Sequence, residues 1–266
     1  MSSFSRMSSL ANAARQAWSN MAVASERTFR RASRIRAGPG KGLLFSARRA
    51  SEQFVAGTYE HPVQSSLAEL VKPGAVCYDI GANVGFFTLL LARLAGPTGT
   101  VYAFEPVPAN ASIIERNARL NRLGNVKVLR LALSRADGMS DLLLAQHVGG
   151  AVLKGAGTPP DPAGHIIVET SAIDTLINHR KIAPPDLVKI DVEGAEMDVL
   201  VGMQGVLRSQ APIVILELDD QTQAECERKV ASCQSFLSEF DYRIDRLPNA
   251  YPDGHWFVRH LVARRR

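Results

Sequence analysis

Residues 76–87 read VCYDIGANVGFF, in which a short apolar run passes through an aspartate and two glycines into a second apolar run. The run VCYDI predicts a buried strand, and GFFTLLLARLAG, residues 85–96, has the spacing of a helix. A ligand-binding strand-to-helix turn is therefore expected between them, because glycine permits positive φ and close approach of a ligand. The turn contains Asp79, Gly81, Asn83 and Gly85.

Strand and helix patterns alternate on both sides of this turn. Strands are predicted at TVYAFEP (100–106), VKVLRLAL (126–133), LVKID (187–191) and IVILELD (213–219), with helices at 109–124, 195–207 and 221–240. This alternation favours an α/β fold with a doubly wound, mostly parallel, Rossmann-like sheet. The last two strands, YRIDRL and HWFVRHLVA, are joined by a short turn, so we expect a C-terminal antiparallel hairpin.

The turn has the features of a nucleoside site. In doubly wound sheets, ligands bind beyond the carboxyl ends of the strands, and the helix N-terminus attracts an anionic group. Glu105, twenty residues after Gly85, is placed to accept the hydroxyls of a ribose. Asp79 would repel a pyrophosphate but suits an ammonium, which favours S-adenosylmethionine over a dinucleotide. The third glycine of the dinucleotide fingerprint is also missing.

The chain resembles the FkbM family of S-adenosylmethionine-dependent methyltransferases from about Tyr59 to Asp219. The segments that carry the resemblance are DIGANVG, the FEP that follows twenty residues later, KIDVEGAE before a helix, and IVILEL. The resemblance implies the class I methyltransferase architecture and O-methylation of sugar or polyketide hydroxyls. It also implies that GTYEHPVQ brings Glu60 near the cofactor and, together with the element order, that Ala132 passes the adenine.

Acids at two further strand ends are the candidate catalytic residues. Asp191 would face the sulfonium end or the attacking hydroxyl, and Glu193 would orient a substrate hydroxyl. A structural strand-end aspartate and a first-turn helix acid are the alternatives. Lys189 lies on the same strand face as Asp191, which predicts an ion pair. Glu217 either lines the acceptor pocket or is buried and hydrogen-bonded.

Several other polar residues carry weaker signals. Residues 146–165 are rich in Gly and Pro and predict a lid or a substrate-recognition loop. His147 and His165 flank this loop, and either would act as a base only if the loop closed. Cys77 lies in an apolar strand and predicts core packing. We expect no metal site, because no His, Asp and Glu cluster has ligand spacing.

The basic charge lies mainly in residues 1–50, which contain ten Lys or Arg and one acid, whereas residues 51–266 contain 21 basic and 25 acidic groups. We therefore predict a basic arm, partly ordered or helical, at 1–50 and the methyltransferase domain at 51–266. The arm leaves open an organelle address, a peripheral membrane contact or a subunit contact. Without a secretory signal or a membrane span, a cytoplasmic location is expected.

The expected enzyme is an O-methyltransferase that acts on a small-molecule or glycan acceptor with a free hydroxyl. The alternatives are a nucleic-acid methyltransferase that uses the basic arm and a non-catalytic cofactor-binding module. The net negative charge of residues 51–266 argues against nucleic acid, because such proteins carry a basic surface. Neither the acceptor nor the oligomeric state follows from the sequence.

Overall fold

The computed structural model describes residues 32–46, 52–145, 151–156, 162–251 and 256–266. Its elements up to residue 133 are β1 (Ser33–Arg34), β2 (Leu44–Phe45), α1 (Glu52–Ala56), α2 (His61–Leu70), β3 (Val76–Ile80), α3 (Phe86–Ala95), β4 (Thr100–Phe104), α4 (Pro108–Leu120), β5 (Val126–Leu129) and β6 (Ala132–Leu133). Those that follow are β7 (Gly138–Ala145), β8 (Val152–Leu153), β9 (Pro162–Ser171), α5 (Ile173–Asn178), β10 (Leu187–Ile190), α6 (Glu196–Val201), α7 (Gln204–Ser209), β11 (Ile213–Asp220), α8 (Gln223–Ser238), β12 (Tyr242–Arg246) and β13 (Phe257–Arg265).

The central sheet has seven strands in the order β12-β13-β11-β10-β3-β4-β5. The five strands from β11 to β5 run parallel, and β13 is antiparallel to both of its neighbours, β11 and β12. The predicted doubly wound sheet with a C-terminal antiparallel hairpin is confirmed. Since β13 lies inside the sheet rather than at its edge, its side chains face those of β11 directly.

Two apolar clusters cover the two faces of this sheet. One contains Tyr78, Ile190 and Leu216, and the other contains Cys77, Leu187 and Ile215. Alternate residues of a strand point to opposite faces, so the two sets interleave along the same strands. Cys77 is fully buried, which confirms its predicted place in the core. The core therefore fixes which strand-end residues point to each side.

Two predicted elements are divided in the structure. The strand predicted at 126–133 ends at Leu129, because Ala132 and Leu133 pair instead with β9 in a separate four-stranded sheet of order β6-β9-β7-β8. The helix predicted at 195–207 breaks into α6 and α7. The break follows from Gly202, whose carbonyl accepts the backbone N–H of Asp174 at 3.0 Å.

The stretch predicted as a long loop, residues 146–165, contains β8 and the start of β9. Strands β7 and β9 pair antiparallel from Gly138 opposite Thr170 to Ala145 opposite Pro162. His165 lies in β9 opposite Leu143 and is exposed. Residues 146–150, including His147, and residues 157–161 lie outside the described residues. The described part of this stretch therefore belongs to the smaller sheet, next to the central one.

Part of the predicted basic arm packs on the domain. In the hairpin formed by β1 and β2, Ile35 and Phe45 are buried in the core, and the backbone of Leu44 exchanges hydrogen bonds of 2.7 Å with the Asn121 side chain. Residues 1–31 and 47–51 lie outside the described part of the chain. Within the described ranges, no helix combines the length and apolar character needed to cross a membrane.

Candidate active site

The turn between β3 and α3 forms the floor of a cleft at the carboxyl end of the sheet. Gly81 has a φ of 77°, and a Cβ atom added there would lie 1.7 Å from the carbonyl oxygen of Asp191. The backbone N–H groups of Gly81 and Ala82 both lie 3.1 Å from the Phe104 carbonyl, which fixes the turn to the next strand. Only glycine fits at position 81, because β10 passes directly against it.

Glu105 is held beside this turn by backbone donors. One carboxylate oxygen accepts the N–H of Asn83 at 2.8 Å, and the other accepts the N–H of Val107 at 2.9 Å. The Asn110 amide lies 3.5 Å from the same carboxylate. Burial raises the pKa of Glu105 to about 7 despite these hydrogen bonds. The carboxylate is therefore fixed at the end of β4, where the sequence predicted a ribose ligand.

Asp79 lies beneath the turn, not on the surface of the cleft. It is 1% exposed, and its Oδ2 accepts the Thr88 hydroxyl at 2.5 Å. Its Oδ1 has no hydrogen-bond partner within the described ranges. Burial raises the pKa of Asp79, and the charge of Lys189 opposes this shift. A buried acid with one unpaired oxygen is suited to stabilising positive charge above it.

The cleft is lined by residues from both sheets. Those predicted from the sequence are Gly81, Asn83, Glu105, Ala132, Asp191 and Glu193. The others are mainly apolar and include Ile80, Phe104, Leu131, Leu133, Leu142, Ala151, Leu153 and Val192, with Pro106 and Asn110 beside Glu105. The apolar part comes largely from β6, β7 and β8, so the smaller sheet covers the cleft next to Glu105. Such a wall suits the flat ring of a nucleobase.

Asp191 follows β10 at the opposite wall of the cleft. Its carboxylate lies 2.8 Å from the Nζ atom of Lys189, which confirms the predicted ion pair. Lys189 is 1% exposed, and its Nζ also lies 4.6 Å from the centre of the Phe87 ring. Burial alone would lower the pKa of Lys189, but the charges of Asp191 and other carboxylates raise it. The lysine therefore stays charged and holds Asp191 at the strand end.

Glu193 lies at a strained position in the same wall. Its φ of 52° is in the left-handed region, which costs a non-glycine residue about 1–2 kcal/mol. Its side chain is half-buried and receives no hydrogen bond from the described residues. Burial first, and then the charges of Asp191 and Asp219, raise the pKa of Glu193 to about 9. Strain and an unpaired acid together indicate a functional position.

A second polar group lies behind Asp191. Glu217 accepts a hydrogen bond from His260 Nε2 at 3.0 Å, and Glu60 Oε2 lies 3.3 Å from the same nitrogen. The Tyr251 hydroxyl donates to Glu60 Oε1 at 2.6 Å. Glu60 therefore contacts His260 and Tyr251, and it is absent from the residues that line the described cleft. Its predicted contact with the cofactor stays a prediction.

Opposing effects set the protonation of this group. Burial alone would raise the pKa of Glu60, but His260 and Lys189 lower it to about 2. Burial, then the charges of Asp191 and Glu60, raise the pKa of Glu217 to about 8. The two carboxylates overcome the effect of burial on His260 and raise its pKa to about 9. The imidazole and the two carboxylates therefore titrate as one coupled group.

Sequence reasoning missed four polar residues of this region: Asn110, Tyr251, Trp256 and His260. The Trp256 indole N–H donates to Asp219 at the end of β11, and 37% of the residue is exposed. His260 pairs with Glu217 across antiparallel strands. Its position would have followed from an alignment of the last strand against β11, but that register is not visible in the sequence.

The cleft fits a nucleoside with a charged tail. Glu105 keeps free lone pairs after its two backbone hydrogen bonds, so it can accept ribose hydroxyls. Gly81 lets the turn lie directly against the Asp191 carbonyl, and the buried Asp79, whose Oδ1 has no hydrogen-bond partner among the described residues, stands at the end of β3. The helix α3 begins after Gly85 without a side-chain cap, so its first N–H groups are open to a carboxylate. These features match the ribose, ammonium and carboxylate of S-adenosylmethionine.

Comparisons with known proteins agree with this geometry. The family model described as "Methyltransferase FkbM domain" matches residues 79–244, more than half of the chain. The chain is 31% identical to Methyltransferase 1 of Beauveria bassiana over 206 residues, which span 70% of this chain and 80% of that protein. It is 30% identical to 31-O-demethyl-FK506 methyltransferase FkbM of Streptomyces tacrolimicus, over 56% of this chain and 67% of that protein.

Two further similarities are to a methyltransferase of a sugar acid and to a solved structure. The hexuronic acid methyltransferase AglP of Haloferax volcanii is 30% identical over 60% of this chain and 62% of that protein. Among solved structures, TYW2 of P. horikoshii in complex with MeSAdo superposes with a TM-score of 0.50 at 11% identity, over 84% of this chain and 68% of that chain. At that identity the likeness concerns the fold alone.

Proposed function

Because the chain belongs to the FkbM methyltransferase family, we propose that it transfers a methyl group from S-adenosylmethionine to a hydroxyl of a carbohydrate-like acceptor. The methyltransferase activity and the cofactor follow from the family, and the class I fold agrees with them. The acceptor and the roles of individual residues are the proposal. The observation that carries it is the acidic wall formed by Asp191 and Glu193 opposite the nucleoside side of the cleft.

The cofactor side of the cleft would be used as follows. Glu105 accepts the ribose hydroxyls, and the apolar wall that includes Ala132 and Leu153 covers the adenine. Gly81 and the start of α3 receive the amino-acid tail, above the buried charge of Asp79. When bound, S-adenosylmethionine supplies an electrophilic methyl group on a positive sulfonium. The residues of the turn orient it toward Asp191, because the Asp191 backbone lies directly against Gly81.

Asp191 and Glu193 would divide the work on the acceptor. Asp191 accepts the hydroxyl proton as the oxygen bonds to the methyl carbon and the carbon–sulfur bond breaks. Its ion pair with Lys189 holds the carboxylate in one place during this transfer. Glu193, whose raised pKa keeps it neutral at pH 7, donates a hydrogen bond to a neighbouring hydroxyl and accepts another. A sugar carries adjacent hydroxyls that match this pair of acids.

An exposed aromatic ring supports a carbohydrate over a smaller alcohol. The Trp256 indole donates its N–H to Asp219, whose charge also acts on Glu193, and we infer from this that the ring lies near the acidic wall. The apolar C–H face of a sugar packs well on such a ring, while its hydroxyls reach polar groups. The Haloferax volcanii relative is a hexuronic acid methyltransferase, which points to the same class of acceptor.

Transfer of tritiated methyl groups from S-adenosylmethionine tests this proposal. The full chain is incubated with uronic-acid oligosaccharides, with the same oligosaccharides after permethylation, with transfer RNA and with a primary amine. We expect label in the free oligosaccharide only, in a form stable to mild base, since a methyl ether survives base and a methyl ester does not. Label confined to RNA or amine, or lost in base, would contradict transfer to a sugar hydroxyl.

The Trp256→Ala variant separates the acceptor contact from the chemistry. Loss of the ring should raise KM for the oligosaccharide about fivefold to tenfold, since a partly exposed aromatic contact contributes about 1 kcal/mol. The affinity for S-adenosylhomocysteine should not change. An unchanged KM would mean that Trp256 does not contact the acceptor.

A further inference from the structure

Three ligand-type atoms converge behind Asp191. Oxygens of Glu60 and Glu217 and the Nε2 atom of His260 all lie within 4.8 Å of one another. The two oxygen–nitrogen distances are 3.3 Å and 3.0 Å. Donor atoms bound to one divalent cation lie about 3 Å apart, because each metal–ligand bond is about 2.0–2.2 Å long. The arrangement already has the spacing of a coordination sphere.

Hydrogen bonding within the protein leaves this group incompletely satisfied. Both carboxylates approach the same ring nitrogen, which carries at most one hydrogen. Glu217 accepts that hydrogen, and Glu60 Oε2 has no hydrogen-bond partner among the described residues. Glu60 is only 2% exposed, so water does not replace the missing partner at its surface. A buried carboxylate oxygen whose neighbouring ring N–H is already used by another acid indicates a missing ligand.

The surrounding charges also leave a place for a cation. Lys189 on β10 is paired with Asp191 at 2.8 Å, so two glutamates face one imidazole. Two carboxylates and a neutral imidazole carry a net negative charge that a divalent cation would balance.

We propose that Glu60, Glu217 and His260 bind a divalent metal ion on the acceptor side of the cleft. Two carboxylates and one imidazole suit Mn²⁺ or Zn²⁺ better than Ca²⁺, which takes oxygen ligands only. Three protein ligands leave further positions open for water or a hydroxyl. Access comes through Glu217, whose side chain is 15% exposed, whereas those of His260 and Glu60 are at most 1% exposed.

The sequence predicted no metal site, because the three ligands are far apart along the chain. They come together through the fold: Glu217 and His260 are direct partners across β11 and β13, and Glu60 immediately precedes α2. Glu60 has a φ of 42°, a left-handed conformation that a glutamate adopts only under constraint. The proposal concerns metal binding itself and does not depend on the identity of the methyl acceptor.

Metal titration of the full chain tests this inference. The protein is stripped with a chelator, and the binding of MnCl₂ is followed by the loss of the electron paramagnetic resonance signal of free Mn²⁺, with ZnCl₂ as competitor. We expect one site per chain whose Mn²⁺ affinity falls at least about tenfold in Glu217→Gln and in Glu60→Gln. The matched control Glu115→Gln, a half-exposed carboxylate on α4, should bind as the wild type does.

Circular dichroism and thermal unfolding of each variant check that the fold is intact. If Glu217→Gln fails this check, Glu60→Gln decides the question, and His260→Gln is the third choice. Absence of a stoichiometric Mn²⁺ or Zn²⁺ site in the wild type would overturn the proposal. So would equal affinity in the wild type and in every folded variant, because the metal would then be held elsewhere.

Discussion

The two walls of the cleft hold their acids in different ways. The wall that contains Glu105, where we propose that the cofactor binds, is named the cofactor wall, and the wall that contains Asp191 and Glu193 is named the acceptor wall. On the cofactor wall, Glu105 accepts two backbone N–H groups that lie 22 and 2 residues away along the chain. On the acceptor wall, Asp191 pairs with a buried lysine, and Glu193 has no hydrogen bond from the described residues. Backbone donors thus fix the carboxylate of Glu105 in one position. The acids of the other wall are held by a single side-chain contact or by none, which leaves their oxygens facing the open cleft.

The largest expected effect belongs to the acceptor wall. Asp191→Asn should lower kcat by about 10²–10⁴, the range for a lost proton acceptor, because the amide cannot take the hydroxyl proton. The affinity for S-adenosylhomocysteine should change little, and calorimetry with steady-state kinetics measures both. If the variant lost cofactor affinity and kept its kcat, Asp191 would belong to the cofactor wall and the comparison would fail.

The next largest effect is expected where Gly81 of the turn lies against the backbone of Asp191. Gly81→Ala places a Cβ 1.7 Å from the Asp191 carbonyl at a positive φ, so unfolding should become easier by at least about 2 kcal/mol. Gly42→Ala is the matched control, because its φ is 90° but nothing lies within 4 Å of the added atom. Urea unfolding compares the two variants. Equal losses would mean that backbone conformation alone matters, and that β10 can move away from the turn.

The cofactor wall should respond through binding. Glu105→Ala removes the acceptor of two backbone hydrogen bonds and of the ribose, and it should weaken S-adenosylhomocysteine binding by about 1–3 kcal/mol, or roughly 5-fold to 150-fold. Glu105→Gln keeps one acceptor oxygen and should lose less. Calorimetric titration that gave the wild-type affinity for Glu105→Ala would show that the ribose is held elsewhere.

The last effect is a change in pH dependence at Glu193, which is seen in stability and not in rate or affinity. An acid with a folded-state pKa of about 9 binds its proton more tightly when folded, so its contribution to stability is complete below about pH 4.5 and is lost as pH rises toward 9. Glu193→Gln cannot titrate. Its Tm should therefore exceed that of the wild type by more at pH 8.5 than at pH 5. Scanning calorimetry at both pH values should show this, and a constant difference would contradict the raised pKa.

The cofactor wall could be predicted from the sequence because its contacts are local. Asp79, Gly81 and Glu105 lie within one strand–turn–helix–strand unit, and the period of the apolar residues places that unit. The group of Glu60, Glu217 and His260, in contrast, depends on the register between two strands. Glu217 faces His260 because β13 is antiparallel to β11 with a particular offset, which two apolar strands do not specify.

The sequence was least informative around residues 146–165. Gly and Pro residues there suggested a loop, but β9 begins inside this stretch and pairs with β7 in a hairpin whose outer face leaves Met139 and Ile167 each 67% exposed. The smaller sheet forms because the chain leaves the central sheet after Leu129, so that β6 can pair with β9. No residue near Leu129 predicts this change of sheet. In this region the pairing of β7 with β9 outweighed the local preference of the sequence for a loop.

Strand β13 lies between β11 and the edge strand β12, and this position has a consequence for biosynthesis. Chains are made from the N-terminus at about 5–20 residues per second, so β13 is made after every other strand, although it lies between β11 and β12. Until it docks, β11 has an open edge whose unpaired backbone groups invite association with other chains. The nascent chain can form the cofactor turn before His260 exists. Docking of β13 is therefore the folding step that both covers the edge of β11 and completes the group of Glu60, Glu217 and His260.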